Sequence, residues 1–322
     1  MAFKEWPYEQ MKGVFTSLSF FIFLLFVFKL ARRTKSKSNM KLPPSPPKLP
    51  IIGNLHQLGT LPHRSLRDLS LKYGDMMMLQ LGQMKNPTLV VSSAHVAMEI
   101  MKTHDIAFSN RPQNTAAKIL LYGCTDVGFE LYGESWRQKR KICVLQFLSM
   151  KMVQSFRVIR EEEVGELVNK VRDVSYSGAR YVNLSEMLSS TSMNIVCKCV
   201  LGHKYWGDSY SRVKESARNV MIHLTAFTVR DYFPWLGLVD VVTGKIKKYK
   251  ATFKALDDLF DQAIAQHLTA NTQSQKKDFV DILLQLQRDT MHNFELSKND
   301  VKALLMVYSS LSLNRYSTFT FL

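Results

Sequence analysis

The sequence predicts a mainly α-helical protein with a small β-sheet near its N-terminus and one transmembrane helix in front of the folded body. Three observations support this fold class. An apolar, uncharged stretch occupies residues 13–28, two segments suited to strands follow at 76–81 and 88–91, and helical periodicity dominates from Ala94 onward. With 322 residues, 46% of them hydrophobic, the chain is long enough to bury a real core.

The apolar stretch is short for a membrane helix. Residues 13–28 would rise about 24 Å against a hydrocarbon core of about 30 Å, so Lys29, Leu30 and Ala31 would have to extend the span. A cleaved signal peptide is the alternative, but no small-x-small cleavage site follows Phe28. We therefore predict an uncleaved anchor over residues 1–31, with its basic flank and the following body in the cytosol.

A basic, proline-rich hinge is predicted at residues 32–50. Its first part is rich in Lys and Arg, and five prolines between Pro43 and Pro50 fix φ in an extended form. A ligand for a proline-binding domain is the alternative. Because the chain carries 43 Lys and Arg against 27 Asp and Glu, a net charge of +16, its partners are expected to be anionic.

The folded body is predicted to begin where residues 51–54 turn the chain. A short helix that ends at Gly74 precedes the two strands, which a turn at residues 85–87 joins into a hairpin. Periodicity then predicts helices over residues 94–103, 133–147, 151–174, 184–201, 208–224, 244–268 and 278–288, and one that starts near Ser297.

An aromatic link separates two of these helices, between Thr225 and Val242. It contains Phe227, Tyr232, Phe233 and Trp235 and is broken by Pro234 and Gly237. Such side chains fill a core in most proteins, but in a membrane-anchored one they can also enter the lipid headgroup region. Both interpretations stay open.

Four cysteines, Cys124, Cys143, Cys197 and Cys199, form no Cys-x-x-Cys pair. This spacing argues against a structural zinc site or a redox motif, so buried reduced thiols are expected. Reduced thiols agree with a cytosolic body.

The most informative short motif is Trp136-Arg137-Gln138-Lys139-Arg140-Lys141, near the start of a predicted helix. Trp136 and Arg140 are four residues apart and share one helix face, so an indole N–H and a guanidinium can meet one carboxylate. Arg137, Lys139 and Lys141 are predicted to form a basic surface patch.

Several motifs occur in an order typical of one family. The anchor, the basic flank, Pro43-Pro44-Ser45-Pro46-Pro47 with Pro50-Ile51-Ile52-Gly53-Asn54, Phe108-Ser109-Asn110-Arg111-Pro112 and the Trp136 motif together resemble plant microsomal cytochromes P-450 of the A-type group. The resemblance runs from the anchor to about Met306, which we take as the end of the family domain that begins at residue 51. It implies a haem-thiolate monooxygenase in the endoplasmic reticulum membrane that oxidises small hydrophobic specialised metabolites with O2 and electrons from NADPH.

The resemblance also implies roles for particular residues. Trp136 and Arg140 match the pair that holds a haem propionate, and the basic helix around them matches the docking face for the NADPH-cytochrome reductase. The segment 112–129 matches a variable substrate loop, so the candidate pocket-wall residues are Ile119, Leu120, Val127 and Phe129. The aromatic link often touches the membrane in this family.

The sequence departs from the family after Met306. Residues 307–316 replace the oxygen-activation motif, and the Glu-x-x-Arg helix and the loop with the haem-ligating cysteine are not found before Leu322. We therefore expect no catalytic residue and no metal ligand in this chain, a divergent tail at residues 307–322, and a truncated protein that does not retain haem and is inactive alone.

Two other functions compete with the enzyme. A non-catalytic membrane protein that binds the reductase or other partners would use the same basic surface. A nucleic-acid-binding protein fits the charge, but the sequence contains no recognisable nucleic-acid motif and the anchor argues against it.

Overall fold

The computed structural model describes residues 17–21, 23–24, 42–84, 86–176, 181–204, 207–269, 277–288 and 295–317, with no side-chain detail for 207–210 and 309–317. Most of the anchor predicted at residues 1–31, and residues 32–41 of the hinge, lie outside these ranges. The described residues 17–21 and 23–24 are helical and exposed. Within the described ranges, no helix has both the length and the apolar character that a membrane crossing requires.

The chain divides into two compact units, Met1–Ala97 and Met98–Leu322. In the first unit, the proline-rich segment is held by the buried side chain of Asn54. Its amide donates to the carbonyls of Pro46 (3.3 Å) and Pro47 (3.2 Å), and its Oδ1 accepts from the backbone N–H of Gln80 (2.8 Å). Gly53 has a φ of +60°, and a Cβ there would collide with the Gln80 carbonyl, so the predicted turn requires glycine.

The hairpin forms as predicted. Helix α1 (Pro62–Tyr73) has proline in its first turn and ends at Gly74, whose φ of +96° suits glycine. Strands β1 (Met76–Leu79) and β2 (Thr88–Val91) pair antiparallel, with Met76 opposite Val91. Strand β1 is two residues shorter than predicted, and Lys85 of the predicted turn lies outside the described residues.

Helices make up the rest of the described chain. They are α2 (Ala94–Met98), α3 (Asp105–Phe108), α4 (Thr115–Leu120), α5 (Glu134–Ile142), α6 (Met150–Ser155), α7 (Arg157–Tyr176), α8 (Leu184–Leu201), α9 (Gly207–Thr225), α10 (Val229–Tyr232), α11 (Leu238–Val242), α12 (Lys245–Thr269), α13 (Phe279–Arg288) and α14 (Lys298–Ser317). Wider π-type turns at Glu99–Thr103 and Cys143–Phe147 continue α2 and α5.

The predicted mainly helical body with a small antiparallel sheet is confirmed, and so are most of its helices, while the transmembrane helix stays a prediction. The helix predicted over 151–174 is instead two helices, because Phe156 leaves the helical path and turns its ring into the core. The loop predicted over 112–129 contains α4, whose N-terminus is capped by Asn114 through the N–H of Ala117 (2.7 Å). Helix α14 continues through Val307 to Ser317, so the backbone does not change where the tail was predicted to begin.

The core of the second unit lies among α4, α8, α9, α12, α13 and α14, which pack against one another. Aromatic rings close one end of it. Phe147 stacks on Phe279 at 4.2 Å between ring centroids, and Tyr308 meets both rings edge to face. Tyr308 belongs to the predicted tail, so the start of that segment contributes to the core.

The aromatic link is only partly buried. Phe227 and Trp235 are 47% and 62% exposed, so the interpretation of these two as core residues is wrong. Tyr232 is half-buried, and its ring stacks on Phe227 at 4.7 Å. The link is shaped from inside by Asp240, whose carboxylate accepts the first N–H groups of α10. Because that carboxylate serves the backbone, the apolar side chains are left outside.

Candidate functional site

Trp136 and Arg140 share one face of α5, as the spacing predicts. The guanidinium carbon of Arg140 lies 5.2 Å from the centre of the Trp136 ring, a cation–π distance. Tyr132 packs against the other part of the indole, with 5.5 Å between ring centroids. The indole is half-buried and Arg140 is exposed, so the indole supports the guanidinium from below.

The two predicted hydrogen-bond donors differ in what they contact. The Trp136 indole N–H donates to the backbone carbonyl of Val127 at 2.9 Å. Arg140, in contrast, has no carboxylate within ion-pair distance among the described residues. A guanidinium held on an aromatic ring and free of a counter-ion fits an anionic group such as a carboxylate. The residues present therefore fit a propionate through Arg140, while the indole N–H holds the protein's own backbone.

The turn that receives the indole is organised by Asp126. One oxygen of this buried carboxylate accepts the backbone N–H groups of Gly128 (2.6 Å) and Phe129 (3.2 Å). The first of these bonds fixes the peptide group that joins Val127 to Gly128, and with it the direction of the Val127 carbonyl. The other oxygen is buried without a hydrogen-bond partner. Burial is the main reason why the pKa of Asp126 is raised to about 6.

Lys139 does not belong to a surface patch, so this part of the prediction is wrong. Only 1% of the residue is exposed, and its ammonium group donates to the carbonyl of Thr125 (2.8 Å) and to Glu130 (3.1 Å). It also forms an ion pair with Asp300 at 2.6 Å. Lys139 turns inward because two carboxylates and a carbonyl surround its ammonium group and compensate its desolvation.

A signal for this burial was present in the sequence. Lys139, Cys143 and Phe147 are spaced by four residues, and all three are buried on the inner face of α5 and its continuation. The apolar character of the other two members predicts the inner face. The carboxylates that compensate the lysine come from elsewhere in the fold, and the sequence alone did not identify them.

Arg137 and Lys141 do lie on the surface. Arg137 forms an ion pair with Glu134 at 2.5 Å, one turn earlier on α5, with both side chains more than half exposed. The Glu134 carboxylate also accepts from Gln138, and this hydrogen bond is the main reason why its pKa is lowered. The basic surface is therefore smaller than predicted and consists of Arg137, Lys141 and the unpaired Arg140.

The four candidate pocket-wall residues pack against the core. Leu120 of α4 is fully buried, and Ile119, Val127 and Phe129 are half-buried beside it. A cavity of about 380 Å³ lies elsewhere, between α7 and α8, and none of the four lines it. The structure groups the four near the Trp136 turn.

All four cysteines are free, as expected. Burial raises the pKa of Cys124 to about 11, of Cys197 to about 12 and of Cys199 to about 11. Burial also raises the pKa of Cys143, which is hydrogen-bonded to Tyr308 inside the aromatic cluster. Burial therefore disfavours ionisation of each of these thiols in the absence of a metal ion.

Comparison with known proteins defines the class. Residues 43–309 match the family model described as cytochrome P-450. This range covers more than half of the chain and includes the hinge prolines, the Trp136 motif and the helical core. The chain belongs to the cytochrome P-450 family, whose cofactor is haem.

Curated relatives of the chain are plant proteins. It is 45% identical over 312 residues to the phenylacetaldehyde oxime monooxygenase of Prunus mume, covering 93% of this chain and 59% of the relative. It is 42% identical over 288 residues to the desmethylyatein synthase of Sinopodophyllum hexandrum, covering 89% of this chain and 57% of the relative. The chain therefore spans less than two thirds of the length of these relatives.

The fold is also similar to that of a solved structure. The solved structure of a zebra fish cytochrome P-450 with progesterone matches with a TM-score of 0.65 and 20% identity, covering 81% of this chain and 60% of that one. At this identity the likeness establishes the shared fold alone. It confirms the mainly helical architecture with a small antiparallel sheet that the sequence predicts.

Proposed function

We propose that this chain is part of a haem-thiolate monooxygenase that oxidises small hydrophobic specialised metabolites, using O2 and electrons derived from NADPH. Family membership supports the reaction class. The structural observation that carries the proposal is the Arg140 guanidinium, which is supported by the Trp136 ring and has no counter-ion among the described residues. A cation placed in this way can bind an anionic partner, and a haem propionate is such a partner.

In this proposal the residues of α5 position the cofactor. Arg140 binds a propionate by charge-assisted hydrogen bonds, and the Trp136 ring fixes the direction of the guanidinium. The Val127 carbonyl, directed by Asp126, fixes the indole in turn. Bound haem iron would supply the activation of O2. In this proposal, the residues of α5 contribute only the orientation of the cofactor and the positive charge that binds it.

The substrate pocket is proposed to include Ile119, Leu120, Val127 and Phe129. These side chains are apolar and adjoin the turn that holds Trp136. Apolar walls with few polar groups suit small hydrophobic molecules. Relatives named for an oxime and for desmethylyatein support a small organic substrate, but they do not identify it.

The partners are proposed to be a lipid membrane and an acidic reductase. Arg137, Arg140 and Lys141 give the exposed side of α5 a positive charge that suits an acidic reductase. The exposed Phe227 and Trp235 suit a lipid headgroup region, where aromatic side chains are enriched. Together with the anchor predicted at residues 1–31, they support a location on the endoplasmic reticulum membrane with the body in the cytosol.

A second function has an observation in its favour. None of the four cysteines lies in a loop that matches the family's haem-ligating motif, so this chain by itself is expected to hold no thiolate-ligated haem. The basic side of α5 does not depend on haem. A chain without haem that binds the reductase through Arg137 and Lys141 would be a non-catalytic membrane protein.

The two functions are separated by expression with a reductase in microsomes. Alone, the chain should give no thiolate-type band after reduction in carbon monoxide and no NADPH-dependent oxygenation. A fusion to the C-terminal part of the Prunus mume relative should restore the band if the proposed cofactor site is correct. Reductase capture by the chain alone, lost in Arg137→Ala with Lys141→Ala, would instead favour the non-catalytic protein.

The same fusion tests the propionate assignment. Arg140→Ala together with Trp136→Phe should lower haem content several-fold, since both the cation and its support are lost. Arg137→Ala is the matched control, because it removes an exposed arginine from the same helix. Unchanged haem content in the double variant would contradict the assignment.

A further inference from the structure

A second group of polar side chains lies far along the chain from α5, where α12 ends and α13 begins. His267 is in the last turn of α12, Asp278 immediately precedes α13, and Asp281 is in the first turn of α13. One possible ligand atom from each lies within 4.8 Å of the others. Neither the family model nor the relatives' names assign a role to this group.

Each of the three side chains is already oriented by a second hydrogen bond. His267 Nδ1 lies 2.7 Å from the carbonyl of Ala263, one turn earlier on α12. Asp278 Oδ1 accepts the Asp281 backbone N–H at 2.9 Å, and Asp281 Oδ2 accepts the Asp278 N–H at 3.2 Å. Metal ligands in proteins are commonly held in this way, with one atom fixed by the protein and another left for the ion.

The ligand atoms that these hydrogen bonds leave unused lie close together. His267 Nε2 lies 2.7 Å from Asp278 Oδ2, and the side chains of both residues are largely buried, at 12% and 11% exposed. An Nδ1–H bonded to a carbonyl leaves the Nε2 lone pair of a neutral imidazole facing this carboxylate oxygen. At this separation the two atoms share a proton when no ion is bound, and a metal ion bound by both would replace that proton and hold them about 3.3 Å apart.

Charge distinguishes the proton from the metal ion. A protonated ring beside two carboxylates leaves a net charge of −1, with His267 and Asp278 largely buried and Asp281 half-buried. A divalent ion bound by a neutral imidazole and two carboxylates brings the group to neutrality. Since uncompensated buried charge is costly, the three side chains are better balanced by a divalent ion.

Gly202 caps α8 and packs closely against the same atoms. Its φ is +78°, and a Cβ there would collide with Asp278 Oδ2 and lie 3.4 Å from His267 Nε2. The absence of a side chain lets the C-terminal end of α8 close over the group. Three helices therefore meet at these ligand atoms.

We infer that His267, Asp278 and Asp281 bind a divalent transition-metal ion that ties the end of α12 to the start of α13 beneath the cap of α8. An imidazole with two carboxylates suits Zn²⁺ and its neighbours in the transition series better than Ca²⁺ or Mg²⁺, which prefer oxygen ligands alone. The ion would be structural. Binding of this ion does not depend on haem. The site can therefore be tested independently of the proposed monooxygenase activity.

The full chain, purified in detergent and freed of metal with a chelator, tests the site. Titration with ZnCl2 by calorimetry should show one ion per chain, and its addition should raise the thermal unfolding midpoint. Co²⁺ should bind with a visible spectrum that lacks a thiolate charge-transfer band, which excludes the four cysteines as ligands. His267→Ala and Asp278→Asn should each weaken binding at least about tenfold.

Controls keep the test decisive if a variant folds poorly. Asp281→Asn alters a half-buried residue at a helix start, so it should preserve the far-ultraviolet spectrum and still weaken binding. His95→Ala and Asp258→Asn remove an exposed imidazole and an exposed carboxylate and should leave binding unchanged. No saturable Zn²⁺ binding would overturn the site and leave a proton between His267 and Asp278. Binding that survives all three site variants would overturn it equally.

Discussion

Lys139 and Lys302 are both buried in the helical body, and their surroundings differ. The side chain of Lys139 is 2% exposed, and its partners Glu130 and Asp300 are 17% and 14% exposed. This group joins α5, the turn before it and the first turn of α14. Glu130 keeps one buried oxygen without a hydrogen-bond partner. The ammonium group is therefore fully buried, and its two carboxylate partners are largely shielded from water.

Lys302 is 6% exposed, but its partners Asp257 and Asp261 are 26% and 41% exposed. Burial lowers the pKa of Lys302, but its hydrogen bonds to both aspartates more than compensate and hold it above its ordinary value. Tyr122 also donates to Asp257, at 2.7 Å. If the lysine is removed, water can solvate the two partly exposed carboxylates and so replace part of the lost ion pairing.

The comparison teaches that partner exposure sets the cost of breaking a buried ion pair. A carboxylate left in the interior without its cation loses solvation and counter-ion together, whereas one at the surface regains water. Both lysines tie α14 to other helices, but only the Lys139 group lies beside the Trp136 turn.

The largest effect is expected for Lys139→Met. Removing the ammonium group leaves Glu130 and Asp300 buried and unpaired, which should lower the free energy of unfolding by about 3 to 5 kcal/mol. Urea denaturation followed by circular dichroism measures it. Lys141→Met, an exposed neighbour on α5, is the control. If the free energy of unfolding fell by less than about 1 kcal/mol, the Lys139 ion pairs would contribute no more to stability than ion pairs on a protein surface.

Asp126 sharpens the comparison. This carboxyl is buried beside the Lys139 ion-pair group but forms no ion pair of its own among the described residues. Its pKa lies at about 6 against an ordinary 3.8. The stability associated with the protonated carboxyl is complete below about pH 4 and is lost as the pH rises through 6, by up to about 3 kcal/mol.

Asp126→Asn keeps an oxygen that can accept from Gly128 and Phe129, and it cannot ionise. Its free energy of unfolding relative to the wild type should therefore increase between pH 4 and 7, measured in urea at each pH. Other carboxyl groups titrate in both proteins and cancel in the difference. A difference that stays constant across this range would show that the Asp126 carboxyl is not desolvated as described.

Lys302→Met is expected to cost about 2 kcal/mol, less than Lys139→Met, because Asp257 and Asp261 can be rehydrated. The same urea measurement applies, and Lys302→Arg should restore most of the loss. If the two methionine variants proved equally destabilising, the exposure of the partner carboxylates would not be the deciding factor.

The smallest effect is expected for Arg137→Ala. This arginine pairs with Glu134 on the surface of α5, and an exposed pair contributes at most about 0.5 kcal/mol. Thermal unfolding midpoints at low and high salt should be nearly the same for the variant and the wild type. A loss as large as that of Lys302→Met would mean that Arg137 has a buried partner.

Much of the fold could be predicted because its signals are local. The bounds of α8 coincide with the predicted residues 184–201, since an N-cap Asn183 and a left-handed Gly202 mark its two ends. The hairpin followed from strand composition and a proline turn. Helix α4 was missed because six residues are too short for periodicity to be read.

The site was predicted in part. Spacing alone placed Trp136 and Arg140 on one face, since i and i+4 positions of a helix are always neighbours. The use of the indole N–H by Val127 could not be foreseen, because a turn nine residues earlier provides that acceptor.

The sequence by itself determined the helical architecture, the family and the residues that α5 presents on each face, because these depend on neighbours within a few positions of the chain. Tertiary structure decided which charges are buried. Lys139 and Arg137 are both cations on one helix, yet Lys139 lies in the interior because the fold brings Glu130 of the preceding turn and Asp300 of α14 to its ammonium group. The desolvation of a buried charge can be compensated only where the fold places an opposite charge beside it. No local sequence pattern encodes that contact.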